Sequence, residues 1–316
     1  MSSHLGNMSK QGFILWLYVE TPLHAGVGQG IGDIDLPLQR ERSTGFPYVQ
    51  ASGIKGAMRA HCAENLEASK VEVLFGPDTQ SAHEHAGALS LSDARLLLFP
   101  VRSLAGVWAW ITCPKVLSRF LSDAKRVGLS LSLPEPPSPL SPGEAIFSQE
   151  GAEVVLSANG RGDLVVLEDL AFTRSSLSES FLPQWTEFLA ERAFPKEPGY
   201  WRENLRKHLV ILSDEDFQFF VEHATEVLTR VRIEPETKTV QEGALWTEEL
   251  LSSESLLYCA GVVEPAHKPQ EDGGSASAED LLKKFRSCLT EHPYLQVGGD
   301  RTLGRGWCFA QITAAL

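Results

Sequence analysis

Residues 20–59 hold the densest set of chemically useful side chains in this sequence: a histidine, two aspartates and several cations around a run of glycines. Gly26, Gly28, Gly30 and Gly32 alternate with other residues. Glycine adopts positive φ at no steric cost, so the backbone of such a loop can approach a ligand closely. The spacing therefore indicates a loop whose main chain contacts a ligand.

A helix with cations near its start follows this loop. Ser52 stands where an N-cap residue is expected, and Lys55 and Arg59 lie four residues apart on one face. Free N–H groups at a helix start attract anions. With Arg40 and Arg42 in the preceding loop, the pattern predicts a phosphate-backbone site. The apolar face of the predicted helix, residues 53–66, consists of Ile54, Met58, Cys62 and Leu66.

A plainer interpretation stays open, since a glycine-rich turn followed by a solvated helix face produces the same pattern. Two phosphate motifs are excluded. The glycines precede a long loop and not a helix, unlike a dinucleotide fingerprint. A P-loop is excluded because no GK[ST] follows at the required spacing.

The string IDLPLQRERSTGFPYVQASGIKGAMR, residues 34–59, resembles the signature of the RAMP superfamily of CRISPR proteins. Within that superfamily the chain is most similar to the repeated backbone subunit of the type III-B (Cmr) effector complex. VGGDRTLGRGW, residues 297–307, is similar to the family's C-terminal glycine-rich loop. Residues 74–78 and 87–103 also resemble the family, so the likeness covers most of the chain.

The resemblance implies roles for individual residues. Asp35 in IDLPLQRE matches the acid that the family presents to the target strand, and His24 in TPLHAG matches a position on the same loop. Asp33 lies two residues outside the matched position. The residues expected to bind RNA are Arg40, Arg42, Ser52, Lys55, Arg59, Gly298, Gly299, Arg301, Thr302, Gly304, Arg305 and Gly306.

An extended arm is predicted at residues 234–249, EPETKTVQEGALWTEE. Its residue types favour a β-hairpin, with a turn at Glu242–Gly243. On the residues alone, an ordinary surface hairpin explains the pattern. The resemblance implies instead a thumb, carrying Thr239 and Trp246, that wedges between nucleotides of the bound duplex.

The implied activity is cleavage of single-stranded RNA paired with a guide RNA. The implied cofactor is Mg²⁺ or a similar divalent cation, bound only together with RNA. Asp35 would either hold this metal or take the 2′-hydroxyl proton, and both roles stay open. The implied partners are guide RNA, complementary target RNA, further copies of this chain and other subunits of the effector complex.

Three other functions stay open. A guide-RNA scaffold subunit of the same superfamily would need the glycines and cations but not Asp35. A guide-processing endoribonuclease would use His24 for acid–base chemistry. A metabolic enzyme unrelated to RNA would show no RNA affinity.

Composition limits these functions. The 316 residues are 43% hydrophobic and 22% charged, which is typical of a globular protein. The net charge of −13 is unusual for a nucleic-acid binder, so we expect an acidic exterior with one basic groove. No apolar segment predicts a signal peptide or a membrane span. Five cysteines without a CxxC pair favour a reduced, cytoplasmic protein.

Strands and helices interleave at both ends of the sequence. Phe13–Glu20 and Trp307–Thr313 are expected in one sheet, which would bring the two glycine loops to one groove. The resemblance implies an α+β, ferredoxin-like (RRM-like) single domain with a core from residues 11–113, 205–233 and 254–316. Large insertions are expected at about 114–204, and the β-hairpin thumb at about 234–249. His83 and His85 are expected as exposed loop residues, and 264–277 as a mobile segment.

Overall fold

The protein has a mixed α+β fold. The computed structural model describes residues 10–30, 32–78, 80–81, 83–148, 151–158, 162–267 and 276–314. The expected mobile segment falls largely on 268–275, outside the described residues. The strands of the described part are β1 (Gln11–Val19), β2 (Tyr48–Val49), β3 (Leu89–Leu91), β4 (Ala94–Arg102), β5 (Trp108–Thr112), β6 (Glu144–Phe147), β7 (Val155–Ala158), β8 (Gly162–Leu167), β9 (Leu170–Arg174), β10 (Leu209–Leu212), β11 (Glu226–Ile233), β12 (Val240–Leu250), β13 (Leu256–Val263), β14 (Tyr294–Gln296) and β15 (Trp307–Ala314).

Helices connect these strands on both sides of the sheet. The helices of the described part are α1 (Ala51–Asn65), α2 (Ala68–Phe75), α3 (Pro114–Arg126), α4 (Leu182–Arg192), α5 (Tyr200–His208), α6 (Asp214–His223) and α7 (Ala278–Glu291). A short 3₁₀ turn follows at Arg301–Leu303. The sequence pattern predicts helices at 115–127, 182–191, 201–208, 214–224 and 278–291, and α3 to α7 confirm all five to within one residue at each end. The last of these predictions places Leu281, Leu282, Phe285 and Leu289 on the buried side of the helix.

Strand β1 is the third strand from one edge of the main sheet, after β14 and β15. It pairs antiparallel with β15 on one side and with β13 on the other, and β13 in turn pairs with β4. The expectation that the first and last strands share a sheet is therefore confirmed. Beyond β4 the sheet continues through β5, β10, β6, β9, β8 and β7, with parallel pairs at β5–β10 and β6–β9.

The apolar run of β1 is explained by burial on both faces. Successive side chains of a strand point to opposite faces. The ring of Phe13 packs 6.0 Å from that of Phe285 on α7, whereas Trp16 packs 5.3 Å from Phe120 on α3. Because Phe13 and Trp16 lie on opposite faces, helices cover both sides of this strand.

Two predicted elements are corrected. The apolar residues between positions 164 and 172 predict one strand, but the structure has a hairpin there, because Glu168 adopts positive φ and turns the chain between β8 and β9. Helix α1 begins at Ala51, so Ser52 is not its N-cap. The N–H of Ala51 donates instead to Asp93 Oδ1 at 2.8 Å, a cap supplied from a distant loop.

His85 also differs from the expectation of an exposed residue. Its side chain is 8% exposed, and Nε2 lies 3.1 Å from Glu72 Oε1 on α2. His83 is exposed, as expected. The packing of the segment against α2 buries the second histidine and leaves the first in solvent.

Strands β11 and β12 form a separate two-stranded antiparallel sheet. The hairpin spans 226–250 and is longer than the arm expected at 234–249. The turn expected at Glu242–Gly243 is wrong, because Ile233 pairs with Val240 and the turn is formed by residues 234–239. Apolar residues stay in solvent at the far end, where Ile233 and Val240 are 47% and 51% exposed. In the described part of the chain, no helix is long and apolar enough to cross a membrane.

Candidate nucleic-acid interface

The loop after β1 lies along the base of the hairpin. The N–H of Leu36 donates to the carbonyl of Thr247 at 3.0 Å, and the N–H of Glu249 donates to the carbonyl of Leu36 at 3.0 Å. These two bonds join the loop to β12 through an isolated parallel β-bridge between Leu36 and Glu248. The hairpin therefore fixes the backbone that carries Asp35.

The carboxylate of Asp35 is held by one residue of β12. Its Oδ2 accepts from the N–H of Thr247 at 2.8 Å and from the Thr247 hydroxyl at 3.0 Å. The same hydroxyl accepts from the N–H of Asp35 at 2.9 Å. The backbone bond from Thr247, followed by its hydroxyl bond, lowers the pKa of Asp35 below its usual range. Asp35 is exposed and stays ionised at neutral pH.

Asp33 differs from Asp35 in its surroundings. It is also exposed, but no side-chain hydrogen bond or ion pair to a described residue holds its carboxylate. The loop that contains both acids turns back on itself, since the N–H of Gly30 donates to the carbonyl of Asp35 at 2.8 Å. Of the two acids, Asp35 alone has a fixed position relative to the hairpin.

His24 is anchored to the same strand. Its Nδ1 lies 2.8 Å from the carbonyl oxygen of Glu249, two residues after Thr247. A carbonyl only accepts, so Nδ1 carries the proton and Nε2 of the neutral ring has a free lone pair. The absence of a side chain at Gly26 makes room for the ring, because a Cβ there would lie 2.5 Å from Nε2.

The C-terminal glycine loop packs directly on His24. The N–H of Gly299 donates to the carbonyl of His24 at 2.9 Å. Gly298 has φ +82°, and a Cβ there would meet the same carbonyl at 2.3 Å, so only glycine fits. The expectation that the two glycine loops meet is confirmed. The remaining predicted residues of this loop follow on the same turn: Arg301, Thr302, Gly304, Arg305 and Gly306.

A groove runs from His24 along helix α1. It consists of two adjoining cavities of about 350 and 400 Å³ that share Ser52, Gly53 and Gly298. Small side chains of α1 form one wall. The other wall holds Arg301 and the aromatic residues Tyr294 and Trp307, which are 44% and 41% exposed.

Sequence reasoning did not select Tyr294 or Trp307. Both flank the C-terminal loop, and exposed aromatic rings beside a glycine turn are a signal for base stacking. Arg301 and Arg42 are exposed, and neither forms an ion pair within the described residues.

The guanidinium of Arg40 is committed to the fold. It donates to Glu249 Oε1 and, at 2.7 Å each, to the carbonyls of Gly45 and Val221. Its side chain is 22% exposed. Arg40 therefore ties the first loop to α6 and β12, and its contact with RNA stays a prediction.

Lys55 and Arg59 point away from the groove. Lys55 Nζ donates to the carbonyl of Leu89 at 2.9 Å. Arg59 donates to the carbonyls of Gly76 and Pro77, at 2.6 and 3.3 Å, where α2 ends. Burial, then the charge of Arg59, lowers the pKa of Lys55. Both cations have a role in the fold, and their binding of phosphate is untested.

The two residues predicted on the thumb lie in different surroundings. Thr239 is exposed at the turn and lies 2.8 Å from Thr237, hydroxyl to hydroxyl. Trp246 is partly buried, and its indole N–H donates to Glu248 Oε1 at 2.8 Å. Arg230 lies 5.6 Å above the indole ring and also bonds Glu248. Trp246 thus stiffens the hairpin stem.

The described residues contain no cluster of three or more histidine, cysteine or acidic side chains that could hold a metal ion. Asp35 can supply one free carboxylate oxygen, Oδ1, because Oδ2 is occupied by Thr247. Divalent magnesium usually keeps several waters and takes substrate phosphates as ligands. The donor set fits a cation shared with RNA and not a site made by the protein alone.

Known proteins resemble this chain over nearly its whole length. It is 36% identical over 303 residues to the "CRISPR system Cmr endoribonuclease Cmr4" of Pyrococcus furiosus, covering 95% of this chain and 95% of that protein. It is 24% identical to the "CRISPR system CMR subunit Cmr4" of Saccharolobus solfataricus, covering 90% and 91%.

Solved structures agree in fold. Oligomeric Cmr4 from Pyrococcus furiosus matches with a TM-score of 0.72 at 28% identity, covering 98% of this chain and 100% of that one. A chain of the type III-B Cmr-beta complex bound to cognate target RNA matches with a TM-score of 0.67 at 18% identity, covering 96% and 97%. The family model described as the RAMP superfamily matches residues 16–309. This chain therefore belongs to the RAMP superfamily.

Proposed function

We propose that this protein is the backbone subunit of a type III-B CRISPR ribonucleoprotein, which binds guide RNA and cleaves complementary target RNA in antiviral defence. The observation that carries the proposal is the carboxylate of Asp35, exposed, ionised and held by the hairpin through Thr247. It occurs in a chain 36% identical to a protein named as a Cmr endoribonuclease.

The core of this subunit is ferredoxin-like. The strand order β15-β1-β13-β4, all antiparallel, with α1 after β1 and α7 after β13, supports this assignment. The hairpin of β11 and β12 is the thumb. Its separation from the main sheet and the exposure of its far end support this role.

Cleavage begins when the thumb displaces a target nucleotide and aligns its 2′-hydroxyl with the adjacent phosphate. Alignment of this kind lowers the barrier because the reacting atoms are already oriented. His24 accepts the 2′-hydroxyl proton at Nε2, the ring nitrogen that its bond to Glu249 leaves free. The 2′-oxygen bonds to phosphorus while the P–O5′ bond breaks, which leaves a 2′,3′-cyclic phosphate and a 5′-oxygen that takes a proton from water. Asp35 is a weak base, since Thr247 lowers its pKa, so its role is electrostatic.

Asp35 would hold a divalent cation through Oδ1, the carboxylate oxygen that Thr247 leaves free, when RNA is bound. Such an ion would supply charge neutralisation at the scissile phosphate.

The partners are guide RNA, complementary target RNA, further copies of this chain and other subunits of the effector complex. A solved relative is described as oligomeric, and another as bound to cognate target RNA. The groove between α1 and the C-terminal loop, with the exposed Arg301, is the surface offered to the guide.

The second candidate is a scaffold subunit that binds guide RNA without cutting. The bonds between Asp35 and Thr247 favour it in one respect, because they would brace the loop whether or not Asp35 takes part in a reaction.

Co-expression of the chain with its neighbouring subunits and a guide tests the proposal. We expect guide RNA to co-purify, and the complex to cut complementary RNA in Mg²⁺ but not a scrambled RNA of equal length. Co-purification without cleavage would leave the scaffold function. Purification without RNA would overturn both.

A further inference from the structure

Thr247 makes every side-chain hydrogen bond found between Asp35 and the rest of the described chain. One hydroxyl accepts from the Asp35 N–H and donates to Asp35 Oδ2, and the Thr247 N–H donates to the same oxygen. A threonine hydroxyl has one proton and two acceptor sites, so it can make both bonds at once. The two residues are 212 positions apart in the sequence.

We infer that Thr247 is a positioning residue for RNA cleavage: it fixes the carboxylate of Asp35 to the hairpin and leaves Oδ1 for the RNA. This inference rests on the proposed function. Thr247 itself does not touch the reacting atoms. It acts through Asp35.

The side chain of threonine suits this task. Its branched Cβ restricts rotation about χ1, so the hydroxyl is held near one orientation before RNA binds. Because the hydroxyl of Thr247 is already fixed, the carboxylate of Asp35 does not have to reorient during the reaction. Misplacement of a catalytic group by about 1 Å can cost about 100-fold in rate, so the loss of this clamp should be measurable.

The clamp also links the site to the thumb. Thr247 belongs to β12, whose distal end forms the hairpin turn, and Leu36 pairs with the same stretch of β12. A displacement of the hairpin by bound RNA therefore carries Asp35 with it. The carboxylate of Asp35 therefore keeps the same position relative to the hairpin when the hairpin changes its orientation relative to the core.

The chain provides a matched control. Thr229 lies directly opposite Thr247 in the register of β11 and β12. It is exposed, and it forms no side-chain hydrogen bond among the described residues. Thr229→Val therefore makes the same chemical change on the same hairpin without touching Asp35.

The test compares Thr247→Val, Thr247→Ser and Thr229→Val in the assembled complex, with single-turnover cleavage and target affinity measured per assembled complex. We expect Thr247→Val to cleave about 10- to 100-fold more slowly at unchanged target affinity. Thr247→Ser should cleave at most of the native rate, and Thr229→Val should cleave at the full native rate.

Rescue by serine supplies a readout that a merely structural role would not move. Valine keeps the branched shape of threonine but removes one donor to Asp35 Oδ2, so the cleavage rate should fall while target affinity stays unchanged. Serine keeps that donor and should restore the rate.

The inference is overturned if Thr247→Val cleaves at the native rate, or if Thr247→Ser is as slow as Thr247→Val. Failure of the proposed function is distinguishable, because Asp35→Asn would then cleave normally. A slow Asp35→Asn with a fast Thr247→Val rejects only the positioning role.

Discussion

Two aspartates, Asp33 and Asp35, lie two residues apart in one loop, but only Asp35 is anchored. We predict that Asp35→Asn assembles and binds guide and target normally, yet loses at least about 100-fold in cleavage rate, since the amide lacks the charge. Asp33→Asn should retain most activity. The measurement is cleavage of guide-complementary RNA with Mg²⁺ and then with EDTA.

Cleavage by the Asp33,Asp35 double variant at the native rate would remove the enzyme function and leave the scaffold. Loss confined to Asp33→Asn would show that the loop rearranges when RNA binds. In that case the free carboxylate, and not the anchored one, faces the target.

Sequence reasoning selected Asp35 and His24 through the family resemblance. It could not select Thr247 or Glu249, the residues that hold them, because their partners lie more than 200 positions away. The prediction of Ser52 as the N-cap of α1 was wrong for a similar reason. Ser52 has the right residue type, but Asp93 supplies the cap from outside the local sequence.

At the scale of elements, the hairpin turn can be shortened without changing its register. Ile233 pairs with Val240, so replacing residues 234–239 with Asn-Gly gives a two-residue turn that favours the native twist. If the tip wedges between nucleotides, we predict a folded protein that binds guide but loses defined cleavage positions on the target. Product lengths on a sequencing gel measure this.

The β8–β9 hairpin offers a control, since Asn-Gly can replace Glu168–Asp169 at a turn far along the sheet. This variant should cut at native positions. Identical products from both variants would show that the hairpin of β11 and β12 is an ordinary surface hairpin.

Helix α1 presents its two cations to backbone carbonyls and not to the groove. The family resemblance still predicts that they bind guide phosphates. Replacing Lys55 and Arg59 with Ala should then weaken binding to any RNA sequence. The slope of the logarithm of the binding constant against the logarithm of salt concentration should become less steep by about 0.7 for each phosphate that is no longer neutralised.

The double variant Lys115→Ala, Lys125→Ala, which removes two exposed cations from α3, serves as the control for net charge. Reduced thermal stability with an unchanged salt slope would show that Lys55 and Arg59 act only within the fold. Their bonds to Leu89, Gly76 and Pro77 would then be their whole contribution.

Periodicity predicted long elements well and short ones poorly. The terminal strands and helix α7 have strong apolar patterns, and all four residues predicted on the buried side of α7 are buried. Strand β6 follows a proline-rich stretch and has too few residues for a pattern. Helix α2 was interpreted only as an apolar segment, because its eight residues span about two turns.

At the scale of the whole molecule, three acids meet where the hairpin joins the core. Glu20, Glu226 and Glu254 are each partly buried, and none forms an ion pair within the described residues. Burial, followed by repulsion from Glu226 and Glu20, raises the pKa of Glu254 to about 7. Burial also raises the pKa values of the other two.

A raised carboxyl pKa stabilises the folded protein at low pH. The contribution is complete below the ordinary pKa near 4.5 and is lost as pH rises through about 7. We predict that Glu254→Gln raises thermal stability at about pH 8 and changes little at about pH 5. The gain should be roughly 1–2 kcal/mol, reduced by screening because the group is partly exposed.

Thermal unfolding at the two pH values measures this difference, with the exposed Glu135→Gln as the control for net charge. Equal effects of Glu254→Gln at both pH values would contradict the prediction. The comparison uses the unassembled chain, so that subunit contacts do not contribute.

The contact between Asp35 and Thr247 also has a consequence for synthesis of the protein. The first loop leaves the ribosome 212 residues before the strand that anchors it. At typical translation rates that delay is roughly 10 to 40 s. During this time Asp35 has no partner on β12, and His24 lacks both β12 and the C-terminal loop. The proposed catalytic residues are therefore held in place only after β12 and the C-terminal glycine loop have been synthesised.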